Sequence, residues 1–385
     1  MFNYRNHQKQ TLLKNMRNPE SSFLYNIEQS TQRENAAKAK QLERAASHTT
    51  PALEDFRSQV DSREIASDTH YVEGTESRFG TDEESTYHAK AFEHIFQLNV
   101  TQGRWLNDPE SDSYHAEAIP VTKFDDYRNR IDIASTVHIP GEQSDSGEDE
   151  EYTFGIDLTT STDPNTIRKK ILHASNDPNF DGPVGFSQLK YYRDSAGHIG
   201  QKTLIPRYCI GVSRSSVDDI LLGTELRGGQ IHHQSRDYLQ QFKILHEMSA
   251  QNELFETPLY AKDDAGTITE EESEALAAIE QLDRIYLTER ERIAKLMPQW
   301  ATSGAIDKKG HYDLQKIAQN IIEQDGDRTF ATILETTEML ALDSVDDPDA
   351  LKAESEKYRR RYTSATAHRL GHSAIKNIKA EGGAA

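Results

Sequence analysis

Two aspartates stand where a buried strand would ordinarily carry hydrocarbon. Asp132 lies between Ile131 and Ile133 in RIDIAS, and Asp157 lies between Ile156 and Leu158 in GIDLTT. Side chains alternate across a strand, so Asp157 and Thr159 face one side while Ile156 and Leu158 face the other. If 131–138 and 152–159 pair as an antiparallel hairpin, both carboxylates project from the same sheet face. Two close carboxylates repel unless one is protonated or a cation bridges them. An all-oxygen pair suits Mg2+ or Mn2+. Such an ion activates water and steadies the charge on a phosphate under attack. The plainer alternative is two solvent-facing acids on a half-covered sheet.

The elements that must position these acids are legible in outline. TDEESTYHAKAFEHIFQL carries Tyr87, Ala91, Ile95 and Leu98 at helical spacing, with acids in its first turn. EAIPVTKF reads as a short strand. IDIASTVHI (131–139) and YTFGIDLTT (152–160) read as strands from their β-branched content. Between them PGEQSDSGEDEE is a solvated acidic loop without the ligand alternation of a calcium loop. Asp163-Pro164 opens a helix over NTIRKKILHA. VGFSQLKYY (184–192) and TLIPRYCIGV (203–212) read as two further strands, SSVDDILLG as a short helix and 232–255 as a longer one.

The order helix, strand, strand with Asp, strand with Asp, helix, strand is carried by FDDYRNRIDIA, GIDLTT, IRKKIL and QLKYY. It resembles a divergent PD-(D/E)XK nuclease-like superfamily over roughly residues 85–215. The resemblance implies a restriction-endonuclease-like αβββαβ core. It maps Asp132 to the first acidic position, with Asp125 and Asp126 as alternatives, and Asp157 to the second. The lysine expected two residues later is Thr159 here, so Lys190 on the following strand is the candidate to supply that charge. Glu93 on the preceding helix is the candidate accessory acid. Each has a plainer reading: Lys190 snorkels over Phe186, Tyr191 and Tyr192, and Glu93 is an ordinary helix-face acid. Arg168, Lys169, Lys170 and Arg207 are candidates for contacts to a phosphate backbone, although a solvated helix face accounts equally for the first three.

Other patterns fail. His232 and His233 are adjacent and diverge on a helix, with no acid or Cys to complete a zinc site. His246-Glu247 opens like the zinc-protease motif, but position 250 is Ala. Cys209, the single cysteine, lies in the apolar run YCIGV, which suits a buried thiol rather than a nucleophile. A lone cysteine also fits a reducing compartment, and without an apolar run of membrane length the expectation is a cytoplasmic, non-membrane protein.

The 385 residues carry a net charge of −20, so nucleic acid would need a local basic site. Only 35% of residues are hydrophobic, which predicts a modest core with solvated or helical extensions. The expected class is α/β: a small mixed sheet with flanking helices at 81–257. A disordered or loosely helical segment is expected at 1–80, with a basic tail over the first 17 residues. A helical region at 267–343 and a C-terminal helix and tail at 346–385 complete the chain, the helices forming a separate bundle or arm. Its capping box, Thr269 with Glu272, and the basic run 359–361 are the clearest signals there. The expected function is Mg2+- or Mn2+-dependent phosphodiester hydrolysis on DNA or RNA. The alternative is a non-catalytic adaptor that keeps the nuclease-like core and meets a protein partner through its C-terminal helices.

Overall fold

The computed structural model describes residues 30, 33–41, 51–79, 83–102, 105–107, 113–142, 147–172, 180, 182–194, 197, 199–223, 225–227, 230–232, 236–300, 305–306 and 312–343. The class is mixed α/β, as expected. After α1 (residues 33–41) and a short 3-10 turn at Leu53–Phe56 come α2 (Ser62–Phe79) and α3 (Glu83–Thr101). Then follow β1 (His115–Pro120), α4 (Lys123–Asn129), β2 (Ile133–Ile139), β3 (Glu150–Thr159) and α5 (Pro164–Leu172). Next are β4 (Phe186–Arg193), β5 (Ile199–Gly211), α6 (Arg214–Gly223) and the small hairpin β6 (Glu225–Arg227) with β7 (Gln230–His232). Four helices close the described chain: α7 (Arg236–Asp264), α8 (Glu270–Leu296), α9 (Leu314–Asp325) and α10 (Arg328–Asp343).

The main sheet has the order β1-β2-β3-β5-β4. The β1–β2 and β2–β3 pairs are antiparallel, β3–β5 is parallel through the α5 crossover, and β4 returns antiparallel onto β5. Strand β3 is central and buried from Thr153 through Thr159. Burial on both faces explains why its sequence reads as nearly continuous apolar content broken by one aspartate.

Among the described residues, no strand pairs with the outer side of β5 beyond Pro206, and α7 supplies partners there from side chains. The Gln251 amide takes the Cys209 N–H and donates to the Cys209 carbonyl, both at 2.9 Å. Glu247 accepts the Gly211 N–H at 3.0 Å. Buried backbone groups require such partners.

Two expectations are corrected. Residues 51–79 are not loose: Leu53, Phe56, Ile65 and Val72 bury themselves with Phe124 and Tyr191 in a second core. The C-terminal helices are not a separate arm, because their apolar residues belong to the same core as the sheet. Tyr286 of α8 meets Phe154 and Tyr208 edge-on, with centroids 6.3 and 6.0 Å away. The expected final helix over 346–385, the run 359–361 and the basic tail over residues 1–17 lie outside the described residues.

Candidate functional site

Three elements deliver the two aspartates. Helix α4 begins at Thr122, whose hydroxyl accepts the Asp125 N–H, and ends at Arg130 in the left-handed conformation (φ 56°). That turn feeds directly into β2. The ladder pairs Ala134 with Gly155 and Ile133 with Ile156, so one further step along the chain brings residue 132 against residue 157. Asp132 donates its N–H to the Ile156 carbonyl at 2.7 Å. Its Oδ2 accepts the Leu158 N–H at 2.6 Å. The carboxylate thus does the work of a backbone carbonyl where the ladder ends.

Asp157 is held from the opposite side. Arg207 on β5 donates from Nη1 to Asp157 Oδ2 at 3.2 Å and from Nη2 to the Lys170 carbonyl at 2.6 Å. The Lys170 ammonium contacts Asp157 Oδ1 and donates to the Leu158 carbonyl at 2.8 Å. Lys170 comes from the last turn of α5, whose start is fixed by Asp163 accepting the Thr166 N–H at 3.0 Å. Ile167 and Ile171 bury the α5 face against the core, and Lys170 stands on the edge of that same face.

Two more carboxylates join electrostatically. Burial, then the Asp132 charge, pushes Glu93 of α3 up to about 8. Burial, then the charges of Asp132, Glu93 and Asp157, holds Asp126 well above the usual carboxylate range, with Arg130 opposing. Burial and Asp157 raise Asp132 to about 6, against Lys170, the Leu158 N–H and a hydrogen bond with Asp126. For Lys170, burial disfavours the charge, but Asp157 and Asp132 outweigh it and hold the ammonium above its ordinary range. The result is a chain of electrostatic coupling in which Glu93 and Asp126 feel Asp132, and Asp132 feels Asp157, with Lys170 and the buried Arg207 as cations on Asp157.

Of the residues expected at the site, Asp132 and Asp157 stand opposite each other at the end of the ladder, and Glu93 is coupled to Asp132 through charge. Of the two alternatives for the first acid, Asp126 joins them. Asp125 does not: it is spent on Lys190 N–H (2.8 Å), Tyr191 N–H (3.2 Å) and Asn129 (2.7 Å), pinning α4 to β4. The Lys190 ammonium is committed elsewhere, to Glu64 at 2.7 Å and Asp68 at 2.5 Å, over the Phe124 ring. Lys170, read from the sequence as a backbone contact, is instead the lysine on Asp157. Arg207 is fully buried against Asp157, which corrects its reading as a surface phosphate contact. Arg168 is half-buried and Lys169 exposed on the outer side of α5.

Cys209, the register partner of Asp157, is buried, and burial followed by the Asp157 charge pushes its thiol above its ordinary range. His246 stacks on Phe242 and bonds Arg290 through Nδ1 at 3.1 Å.

No family model, curated protein or solved structure matches the chain. No described helix is long and apolar enough to cross a membrane. Among the described residues, no three His, Cys, Asp or Glu side chains are grouped as a ready metal site. The donor chemistry is nonetheless of the kind a hard divalent cation takes, since Glu93, Asp126 and Asp132 offer only carboxylate oxygen, which a cation would bind after displacing the protons that burial favours.

Proposed function

We propose that this chain is a metal-dependent nuclease acting on a phosphodiester of DNA or RNA, built on a divergent PD-(D/E)XK-like core. The observation that carries the reading is the meeting of Asp132 and Asp157 at the end of the β2–β3 ladder, with a lysine on Asp157. The element order supports it: α3, the antiparallel β1–β2–β3 set with α4 inserted between β1 and β2, α5, then, after β4, β5 parallel to β3. In this reading the fourth core strand is β5, and β4, which carries Lys190, is an edge addition.

Asp132, Asp126 and Glu93 would hold Mg2+ or Mn2+, with Asp157 beside them. When bound, the ion lowers the pKa of a coordinated water and offsets phosphate charge. The chain's own groups do the rest. Lys170 places a positive charge beside Asp157, where an anionic phosphate would otherwise meet carboxylate charge alone. Arg207 fixes one oxygen of Asp157 and the carbonyl of residue 170, so both groups keep their places. Lys169 and Arg168 on α5 extend the local positive field that a chain of charge −20 lacks overall.

Cleavage of plasmid and oligonucleotides with Mg2+ or Mn2+ tests this. Wild type cuts, whereas Asp132→Asn and Asp157→Ala lose at least 100-fold. Metal-dependent cutting that survives both substitutions removes the assignment.

One observation favours a second reading. Both oxygens of Asp157 are already engaged by Lys170 and Arg207, as in a structural ion pair. A non-catalytic adaptor built on the same core would bind nucleic acid or protein without cutting, and the same assay separates the two.

A further inference from the structure

We propose that Lys170 is a built-in counter-ion of Asp157, displaced when a divalent cation enters the acid cluster and thereby released to the phosphate of the substrate. Only the last step rests on the nuclease reading. The displacement itself is an exchange of ions in which no covalent bond changes.

The two cations on Asp157 differ in freedom. Arg207 is 0% exposed and is tied by its second nitrogen to the Lys170 carbonyl. The Lys170 side chain is 31% exposed, on a helix edge. The Arg207 bond holds the backbone of residue 170, while the Lys170 ammonium is held at Asp157 and at the Leu158 carbonyl, at the end of a flexible four-carbon stem. Lysine suits such a part, being a compact charge on a flexible chain.

The competition has a clear sign. Lys170 brings one positive charge to Asp157 and feels Asp132 as well. A divalent ion among the same carboxylates gains twice the Coulomb attraction per contact. Two cations so close repel each other, so entry of the ion drives the movable one away. A lysine evicted from Asp157 stays tethered at the site rim, within reach of an arriving phosphate. The same charge that keeps the ion-free cluster together is then reused on the substrate.

The experiment measures Mn2+ binding to the full chain, from the paramagnetic resonance signal of free Mn2+, beside nucleic-acid cleavage at saturating Mn2+. Wild type is compared with Lys170→Met, Lys170→Gln and Asp132→Asn. Both Lys170 variants are expected to bind Mn2+ about tenfold more tightly and to cut at least 100-fold more slowly, while Asp132→Asn loses binding. Affinity rising as cleavage falls is the signature, since a merely structural lysine would lower both. Lys170 variants that bind no tighter than wild type overturn the displacement, and variants that bind tighter yet cut normally overturn the release to substrate. Tighter binding in a protein that never cuts upholds the counter-ion and removes the nuclease reading. If Mn2+ binds to none of the proteins, both fall. Lys170→Gln keeps a donor for the Leu158 carbonyl and decides the matter should the Met variant not fold, as monitored by circular dichroism.

Discussion

At the scale of single residues, the cluster is defined by carboxylates whose charged form the fold opposes. Glu93 has its pKa raised from 4.5 to about 8, and Asp132 from 3.8 to about 6. The folded protein therefore holds these protons more tightly than the unfolded chain. By linkage, their contribution to stability is full below about pH 4, falls as pH rises through the two folded values, and is lost above about pH 8. Urea melts of the metal-free protein at pH 5.5, 7 and 8.5 should show Glu93→Gln flattening the decline, so that the variant matches wild type at low pH and exceeds it at high pH. Unchanged slopes would remove Glu93 from the cluster. Asp125 offers the contrast. It is more deeply buried, but it accepts bonds from Lys190 N–H, Tyr191 N–H, Asn129 and Thr122. Asp125→Ala strands two buried N–H groups, each costing about 1–3 kcal/mol, and should lower the urea midpoint without changing Mn2+ affinity in whatever fraction stays folded.

At the scale of elements, the β2–β3 hairpin is the part that the sequence announces most clearly. Aliphatic residues flank each aspartate, a turn-rich acidic loop separates the runs, and antiparallel pairing of the two strands puts both carboxylates on one face. The choice of lysine was harder to see. Thr159 blocks the local route, and Lys190 lies on the next strand in sequence, but β4 is an edge strand and its lysine is drawn to Glu64 and Asp68 of α2. The signal for Lys170 is present on a helical wheel: it sits three residues after buried Ile167 and one before buried Ile171, on the inward half of α5. The N-terminal packing gives a weaker signal, because Leu53, Phe56, Ile65 and Val72 are isolated apolar residues whose partners, Phe124 and Tyr191, lie far along the chain. Gly155 shows how closely the hairpin is fitted. A Cβ there would meet the Ile131 side chain at 2.9 Å, one residue from Asp132. Gly155→Val should cost about 1–3 kcal/mol by overpacking. It should also weaken cleavage more than Gly155→Ala does, through displaced Ile131, as read from urea midpoints beside turnover.

At the scale of the whole molecule, the C-terminal helices and the sheet share one core, so the site depends on residues more than a hundred positions away. Gln251 and Glu247 complete the edge of β5, the strand that carries Arg207, and Tyr286 closes over Phe154 and Tyr208. This coupling predicts a single unfolding transition rather than two. The chain has two tryptophans, which allows a direct check. Trp105 packs on Phe96 of α3 at 5.7 Å, on the sheet side, and Trp300 follows α8, its carbonyl accepting a bond from Asn320 of α9 at 2.9 Å. Trp105→Phe and Trp300→Phe leave one reporter at each end. Their fluorescence transitions in urea should coincide with each other and with circular dichroism, as a cooperative unit requires. Tyr286→Ala should lower the unfolding free energy by about 3–5 kcal/mol, as for large buried aromatics, and move both midpoints down together. A separate helical arm would instead lose the Trp300 transition early and leave Trp105 in place. That result would detach the C-terminal helices from the site and make the truncated α/β core the better object for the cleavage assay.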